Sequence, residues 1–206
     1  MRNRAENQIT LVLIRHGATK ANKEHRYLGK TDEALSKEGE QELADCKDKQ
    51  IYPMVDCLFS SPMKRCLQTA QILYPDQNPT KIMEWEEMDF GAFEGKNYIE
   101  LKDDKRYQEW IDSNGTLPFP EGESREEFIL RCDKGFQKMI AELEQRTKTQ
   151  EVKTIGMIVH GGTIMALLSR YHGGAYFDYQ VKNARGYICT VEDWKNSPVI
   201  TDIKNI

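Results

Sequence analysis

Short apolar runs that alternate with helix-like segments constrain the fold of this 206-residue chain most strongly. Three of them lie at residues 11–14, 55–59 and 155–159. Runs of this length suit strands that are buried on both faces, and their alternation with helical periodicity is typical of parallel sheets. The pattern therefore predicts an α/β fold, a three-layer α/β/α sandwich with a mostly parallel central sheet.

Periodicity and turn residues place the individual elements. We expect strands at 9–14, 54–59, 80–83, 154–159, 186–191 and 198–203. Helices are expected at 36–49, 62–74, 124–145 and 162–171, with polar helical turns at 96–112. The helix at 62–74 has Pro62 at its predicted first position and Ser61 as its predicted cap, and Ser124 begins a capping-box pattern. Residues 113–123 form a loop by their proline and glycine content.

Composition limits the classes of protein that fit this chain. With 39% hydrophobic and 30% charged residues and no repeat or linker, residues 1–206 are expected to form a single domain. A net charge of -4 without a basic stripe argues against nucleic-acid binding. The apolar runs are far shorter than the roughly 18 residues of a membrane span. A polar N-terminus and five cysteines without a C-x-x-C pair indicate a cytoplasmic protein with reduced thiols.

Two of the predicted strands end in the same dipeptide. Residues 11–14 lead into Arg15-His16-Gly17, and residues 155–159 lead into His160-Gly161. The strand at 54–59 leads to Arg65 in the first turn of a helix. Because the carboxyl ends of parallel strands meet at one edge of a sheet, we expect two imidazoles and two guanidiniums to face one pocket.

This combination of groups favours a phosphate ligand. Arginine binds phosphate oxygens through two parallel hydrogen bonds, and helix N-termini add backbone donors. A lone histidine at a strand end is more often structural, and a lone arginine is usually a surface charge. Four such residues at matching topological positions favour a shared site, so the ligand is expected to be a phosphoester.

Three segments together resemble a known family. Residues 13–22, which carry an R-H-G-x-T-x-x-N signature, residues 60–70 and residues 159–162 are similar to the histidine phosphatase superfamily, the phosphoglycerate mutase-like proteins. The resemblance spans about residues 9 to 170. It implies that His16 is a nucleophile that becomes phosphohistidine. It also implies that Arg15, Arg65, His160 and Gly161 bind the phosphate and that Asn22 supports the pocket.

The same resemblance selects the proton donor. The carboxylate of the family lies four residues before the first glycine of a Gly-x-x-x-Gly stretch, which corresponds to Glu87, with Glu86 one position away. An acid that must hold a proton near neutral pH needs a raised pKa. We therefore expect Glu87 to be partly buried, close to other carboxylates or to the phosphate. Neither a cofactor nor a metal is expected, since the cationic side chains neutralise the phosphoryl oxygens.

The resemblance also suggests a substrate. Residues 26–32, 35–39 and 119–124 look most similar to alpha-ribazole-5'-phosphate phosphatases of the cobalamin nucleotide-loop pathway. A broad-specificity phosphatase, a phosphoglycerate mutase and a non-catalytic phosphate-binding module stay open as alternatives. We expect a small-molecule phosphomonoester as the partner, and a cap-like insertion at about 96–123. The oligomeric state stays open.

Overall fold

A computed structural model describes residues 7–206 of the chain, in which six strands form one sheet. The strands are β1 (Gln8–Arg15), β2 (Cys57–Ser60), β3 (Thr80–Lys81), β4 (Thr154–Val159), β5 (Gly186–Glu192) and β6 (Val199–Asn205). Their order across the sheet is β3-β2-β4-β1-β5-β6. The first four are mutually parallel, β5 is antiparallel to β1, and β6 is antiparallel to β5. The predicted mostly parallel α/β sheet is confirmed.

Seven α-helices connect the strands in the described part of the chain. They are α1 (Lys20–Lys23), α2 (Lys37–Asp48), α3 (Lys64–Leu73), α4 (Tyr98–Leu101), α5 (Lys105–Asp112), α6 (Arg125–Arg146) and α7 (Gly161–Tyr171). Three 3-10 turns lie at Met83–Trp85, Gly91–Phe93 and Tyr176–Tyr179. The capping box predicted at Ser124 is present at the start of α6. None of the helices within residues 7–206 is long and apolar enough to span a membrane.

The sheet separates two hydrophobic cores, as alternation along its strands requires. On β1, Leu11 and Leu13 point into the larger core, which α6 and α7 cover. Val12 and Ile14 point into the smaller core, which α2 and α3 cover. Helices thus pack on both faces, and the three-layer sandwich is confirmed.

Two element boundaries differ from the prediction for local reasons. Strand β2 begins at Cys57, because Asp56 turns its carboxylate to accept hydrogen bonds of 2.8 Å from the backbone N–H groups of Lys153 and Thr154. Helix α3 begins at Lys64 with Met63 as its N-cap. The predicted cap Ser61 instead contacts His160. The hydroxyl oxygen of Ser61 also accepts a long hydrogen bond of 3.4 Å from the N–H of Met63, so the serine contacts both His160 and the chain just before α3.

The segment predicted as a cap contains α4, α5 and the loop that follows them. Tyr107 and Trp110 of α5 pack against Phe93, with ring centroids 5.4 and 6.4 Å away. This aromatic packing holds α5 beside the carboxyl edge of the sheet. The single-domain assignment with a cap-like insertion stays a prediction. Residues 1–6, on which the expectation about the N-terminus rests, lie outside the described residues.

Candidate active site

The two strand-end histidines meet at the centre of the sheet. β1 and β4 pair in parallel with Arg15 opposite Val159, so His16 and His160 leave the sheet side by side. Their ring centroids are 5.1 Å apart, with the rings inclined at 68°. His16 is 3% exposed and His160 is 0% exposed. The register of two central strands therefore fixes the distance between these rings.

Hydrogen bonding determines which nitrogen of His16 is available. Its Nδ1 lies 2.7 Å from the carbonyl oxygen of Gly17, which can only accept, so Nδ1 carries the proton. The Nε2 atom therefore has a free lone pair. Burial lowers the pKa of His16 well below its ordinary value, and the positive charges of Arg65 and Arg15 lower it further. His16 is consequently a neutral imidazole, the form that can act as a nucleophile.

Arg65 is fully buried beside the two rings. Its Nε lies 3.3 Å from Nδ1 of His160. Its terminal nitrogens donate to the carbonyl oxygens of Thr31, at 2.9 Å, and Gly29, at 3.1 Å. The backbone N–H groups of Gly29 and Thr31 in turn donate to Glu94. Residues 26–32, which carried part of the family resemblance, thus orient a buried guanidinium.

His160 is held from both sides of its ring. The Nε–H of Arg65 donates to Nδ1, which leaves the ring proton on Nε2, 2.8 Å from the hydroxyl oxygen of Ser61. Burial lowers the pKa of His160 well below its ordinary value, with further lowering by the charge of Arg65. The ring is therefore neutral. No sequence pattern indicates the contact with Ser61, since serine before a helix is typical of a cap.

Arg15 and the start of α7 contribute hydrogen-bond donors. Arg15 donates from Nη1 to the carbonyl oxygen of Val181 at 2.7 Å. Its Nε is buried and has no hydrogen-bond partner within residues 7–206. A Cβ atom at Gly161 would lie 3.5 Å from that Nε, so the guanidinium sits against the helix N-terminus. An unpaired cationic donor beside backbone N–H groups is an arrangement that binds anions.

Glu87 faces the same pocket from the other side. Its Oε1 accepts from the N–H of Met88 at 2.9 Å, and its Oε2 lies 3.4 Å from the N–H of Gly162. Burial raises the pKa of Glu87, although these hydrogen bonds and the charges of Arg65 and Arg15 act against the rise. Burial of Glu87, which was expected, therefore raises its pKa, whereas neighbouring carboxylates are not among the causes of the rise.

Glu86, the neighbouring candidate, faces elsewhere. It lines an open groove of about 480 Å³ together with Asp89 and Glu123. Glu87 borders both this acidic groove and the cavity that contains Arg15. Of the two carboxylates, Glu87 is therefore the one that shares a cavity with the arginine and the N-terminus of α7.

Asn22 reaches the site through a second asparagine. Its Oδ1 accepts from the N–H of Thr19 at 3.2 Å and from the Nδ2 of Asn183 at 3.1 Å. That Nδ2 also lies 3.1 Å from the carbonyl oxygen of His16. Asn22 borders a different cavity, of about 640 Å³, which it shares with Arg15. No sequence pattern points to Asn183, because this residue lies in a loop without periodicity or a recognisable motif.

A cavity of about 300 Å³ opens beside Arg15, Glu87 and Gly161. Its walls include six aromatic side chains: Tyr27, Phe90, Trp110, Phe119, Tyr176 and Phe177. Trp110 and Phe119 have ring centroids 4.7 Å apart, and Phe90 and Phe119 are 5.0 Å apart. Whatever is attached to a phosphate at Arg15 would enter this apolar space.

Arg125 is the one further cation that lines this cavity among the described residues. Its guanidinium carbon lies 5.8 Å and 5.9 Å from the ring centroids of Tyr176 and Phe177. Its contact with Glu126 is long, at 4.0 Å, and its side chain is 21% exposed. Arg125 is thus a weakly paired charge in an aromatic wall. Residues 7–206 contain no cluster of three or more histidine, cysteine or acidic side chains suited to a metal ion.

Comparisons with known proteins show the family and the fold. The sequence profile of the "Histidine phosphatase superfamily (branch 1)" matches residues 11–203. The structure of a phosphoserine phosphatase mutant from Entamoeba histolytica, in complex with phosphoserine, is 28% identical, with a TM-score of 0.70 over 95% of this chain and 96% of that one. The alpha-ribazole phosphatase of Shigella flexneri has the same fold, at 21% identity and a TM-score of 0.75 over 95% and 96%.

A relative of another activity aligns over most of its length. The 2,3-bisphosphoglycerate-dependent phosphoglycerate mutase of Bifidobacterium longum is 26% identical over an alignment of 187 residues. The match covers 77% of this chain and 75% of that protein. Phosphatases and mutases thus both occur among the similar proteins. The chain belongs to the histidine phosphatase superfamily.

Proposed function

We propose that this protein hydrolyses phosphomonoesters through a phosphohistidine formed on His16. One observation carries the proposal: a buried, neutral imidazole with a free Nε2 lies beside Arg65, Arg15 and the N-terminus of α7. Such a group can attack phosphorus, while the surrounding donors bind the phosphoryl oxygens.

In the first step, Nε2 of His16 attacks the phosphorus in line with the ester oxygen. The bond from phosphorus to that oxygen breaks as the new N–P bond forms. The guanidiniums of Arg15 and Arg65 neutralise the charge on the equatorial oxygens, and the backbone N–H of Gly161 donates a hydrogen bond to them. Glu87, whose pKa is raised by burial, protonates the departing oxygen.

In the second step, a water molecule takes the place of the alcohol. Glu87, now a carboxylate, accepts a proton from the water as its oxygen attacks the phosphorus. The N–P bond breaks, and inorganic phosphate leaves with His16 neutral again. His160 and Asn22 support the pocket, through Arg65 and through Asn183. The positive charge comes from side chains, so the proposed reaction uses no metal or cofactor.

The aromatic cavity supports a proposal about the substrate. Flat, apolar walls of this kind suit an aromatic leaving group. We therefore propose alpha-ribazole 5'-phosphate, and with it a role in cobalamin nucleotide-loop assembly, as the first candidate substrate. A small molecule of this type, rather than a nucleic acid or a membrane, is the proposed partner. A cytoplasmic location is proposed with it, because Cys46, Cys57, Cys66, Cys132 and Cys189 are all free thiols.

Arg125 favours a second candidate. A weakly paired guanidinium in an apolar wall gains most from an anionic group on the ligand. A phosphoester whose leaving group carries a carboxylate, such as 3-phosphoglycerate, would supply that group. Transfer back to a hydroxyl of this molecule, rather than to water, would make the protein a mutase. A broad-specificity phosphatase would accept both kinds of leaving group in this cavity.

Phosphate release in the presence of EDTA tests the reaction. The panel contains p-nitrophenyl phosphate, alpha-ribazole 5'-phosphate and 3-phosphoglycerate. We expect turnover by the wild-type protein and by His172→Ala, a control histidine that contacts the carbonyl oxygen of Ile200. We expect none by His16→Ala, and acid-labile label from a substrate carrying phosphorus-32 in the wild type and in His172→Ala but not in His16→Ala. Turnover by His16→Ala would contradict the mechanism, and binding without turnover would favour a non-catalytic module.

Arg125→Gln separates the two substrate candidates. If the leaving group is an aromatic nucleoside, the substitution leaves kcat/KM for alpha-ribazole 5'-phosphate within about threefold of the wild-type value. If the leaving group is anionic, KM for 3-phosphoglycerate rises by tenfold or more, since a charge-assisted hydrogen bond is worth roughly 1.5–3 kcal/mol. Interconversion of 3- and 2-phosphoglycerate without phosphate release would support the mutase.

A further inference from the structure

Arg131, on α6, binds the backbone of the segment that carries Glu87. Its Nη1 donates to the carbonyl oxygens of Glu84, at 2.8 Å, and Glu86, at 2.9 Å. Its Nη2 lies 3.2 Å from the carbonyl oxygen of Glu87 itself. Three carbonyl groups from four successive residues therefore converge on one guanidinium.

The remaining donors of Arg131 bind Glu123. The Nε–Oε1 and Nη2–Oε2 distances are 2.9 and 2.8 Å, a bidentate ion pair. A guanidinium has five N–H groups, and these five contacts engage all of them. Glu123 is in turn joined to the acid-bearing segment, because its N–H donates to the carbonyl oxygen of Asp89 at 3.0 Å. Arg131 and Glu123 thus hold this segment from both sides.

The position of Glu87 depends on its backbone. The residue lies between the 3-10 turns Met83–Trp85 and Gly91–Phe93. Its carboxylate is held by the adjacent N–H of Met88 and, more loosely, by that of Gly162 at 3.4 Å. Arg131 forms its contacts with the main chain and with Glu123, on the side of the acidic groove. It therefore acts on the acid without occupying the space of the substrate.

We infer that Arg131, paired with Glu123, is a positioning residue that holds the carboxyl group of Glu87 at the ester oxygen. The inference rests on the proposed function, in which Glu87 protonates the leaving group. A shift of about 1 Å in a reacting group can cost roughly 100-fold in rate. The substitution Arg131→Lys would keep the charge but would lose the planar fork that reaches three carbonyls and a carboxylate.

Leaving-group dependence distinguishes this role from general stabilisation. A poor leaving group such as phenolate needs the proton from Glu87, whereas p-nitrophenolate departs readily without it. The ratio of kcat/KM for the two phenyl esters therefore reports acid catalysis, because kcat/KM covers the steps up to departure of the alcohol. Partial unfolding would lower both values equally.

The experiment compares Arg131→Lys with Arg146→Lys. Arg146 lies on the same helix and is 30% exposed, against 28% for Arg131, but it contacts Glu142 and Thr80 away from the pocket. For Arg131→Lys we expect kcat/KM for phenyl phosphate to fall by at least about tenfold and that for p-nitrophenyl phosphate by less than about threefold, since general acids contribute roughly 100- to 10,000-fold. Arg146→Lys should behave as the wild type.

A double variant completes the test. If Arg131 acts through Glu87, the double variant has the same ratio of kcat/KM values for the two phenyl esters as Glu87→Gln alone. An unchanged ratio in Arg131→Lys, or an equal loss for both esters, overturns the inference. If Arg131→Lys fails to fold, Glu123→Gln decides, because it should change the ratio in the same direction. An unchanged ratio in Glu87→Gln, or an inactive wild type, would instead refute the proposed function.

Discussion

Replacing His160 by asparagine should make the stability of the protein less sensitive to acid. His160 is 0% exposed and neutral in the folded protein, with Ser61 and Arg65 on its two nitrogens. Burial and the adjacent guanidinium lower its folded-state pKa well below the ordinary value of 6.5. In the unfolded chain the same imidazole takes up a proton at about pH 6.5.

The sign and size of the effect follow from linkage. Below the unfolded-state pKa, the unfolded chain binds one more proton at this site than the folded protein does. The free energy of unfolding therefore falls as the pH falls, by close to 1.4 kcal/mol per pH unit for this residue. The decline continues until the pH reaches the folded-state pKa. Asparagine cannot titrate, so His160→Asn removes this contribution and leaves that of His16 in place.

Urea unfolding at intervals between pH 8 and pH 5 measures the difference. At pH 8 the variant is expected to be less stable, because a contact to Arg65 is lost. The difference should shrink by about 1.2–1.4 kcal/mol for each pH unit below 6. His172→Asn, at an exposed site, is the control substitution. A difference that stays constant from pH 8 to pH 5 would refute the buried, neutral state of His160.

Three further substitutions test other parts of the site. In urea titrations, Glu87→Gln should become more stable relative to the wild type as the pH rises from 4 to 8. Because burial raises the folded-state pKa of Glu87, the free energy of unfolding of the wild type falls as the pH rises towards that pKa, whereas glutamine does not titrate. Gly162→Ala should fold yet lower kcat/KM for phenyl phosphate by at least about tenfold, since its Cβ would lie 2.4 Å from Oε1 of Glu87; normal kinetics would contradict the position of the carboxylate. Gly91→Ala should lower the free energy of unfolding by about 1–3 kcal/mol in urea, because its φ of +50° and a Cβ 2.2 Å from the carbonyl oxygen of Pro120 both oppose a side chain.

The sheet was predictable where burial imposes a simple pattern. The runs at 11–14 and 155–159 became β1 and β4 because strands covered on both faces need unbroken apolar sequence. Because the carboxyl ends of parallel strands meet at one edge of the sheet, the strand positions alone predicted that four residues share one pocket: Arg15, His16, Arg65 and His160. The expected Glu87 faces the same pocket, although its position rested on the family resemblance rather than on a periodic pattern.

Contacts between distant loops were beyond the reach of local patterns. The four-residue helix α1 is too short to show periodicity, and its capping box at Thr19 is the one local signal it carries. Asn183 reaches His16 across 167 positions of sequence, and Ser61 reaches His160 across 99. Such pairs arise only when the sheet has brought the strands together. The aromatic cavity likewise draws its walls from several connections, whose mutual arrangement no single segment determines.

The geometry of the proposed phosphate site and the choice of the alcohol depend on different parts of the fold. The groups proposed to transfer phosphate emerge from, or pack against, the ends of the central strands, where six residue pairs between β1 and β4 fix their spacing. The aromatic walls come from Tyr27 and from the segments 90–119 and 176–177, which lie outside the strands and do not include Glu87. Exchanging those connections for others of similar length would alter which alcohol is accepted while the phosphate site kept its dimensions. In a chain built this way, new substrates can be acquired by loop replacement without rebuilding the reaction centre.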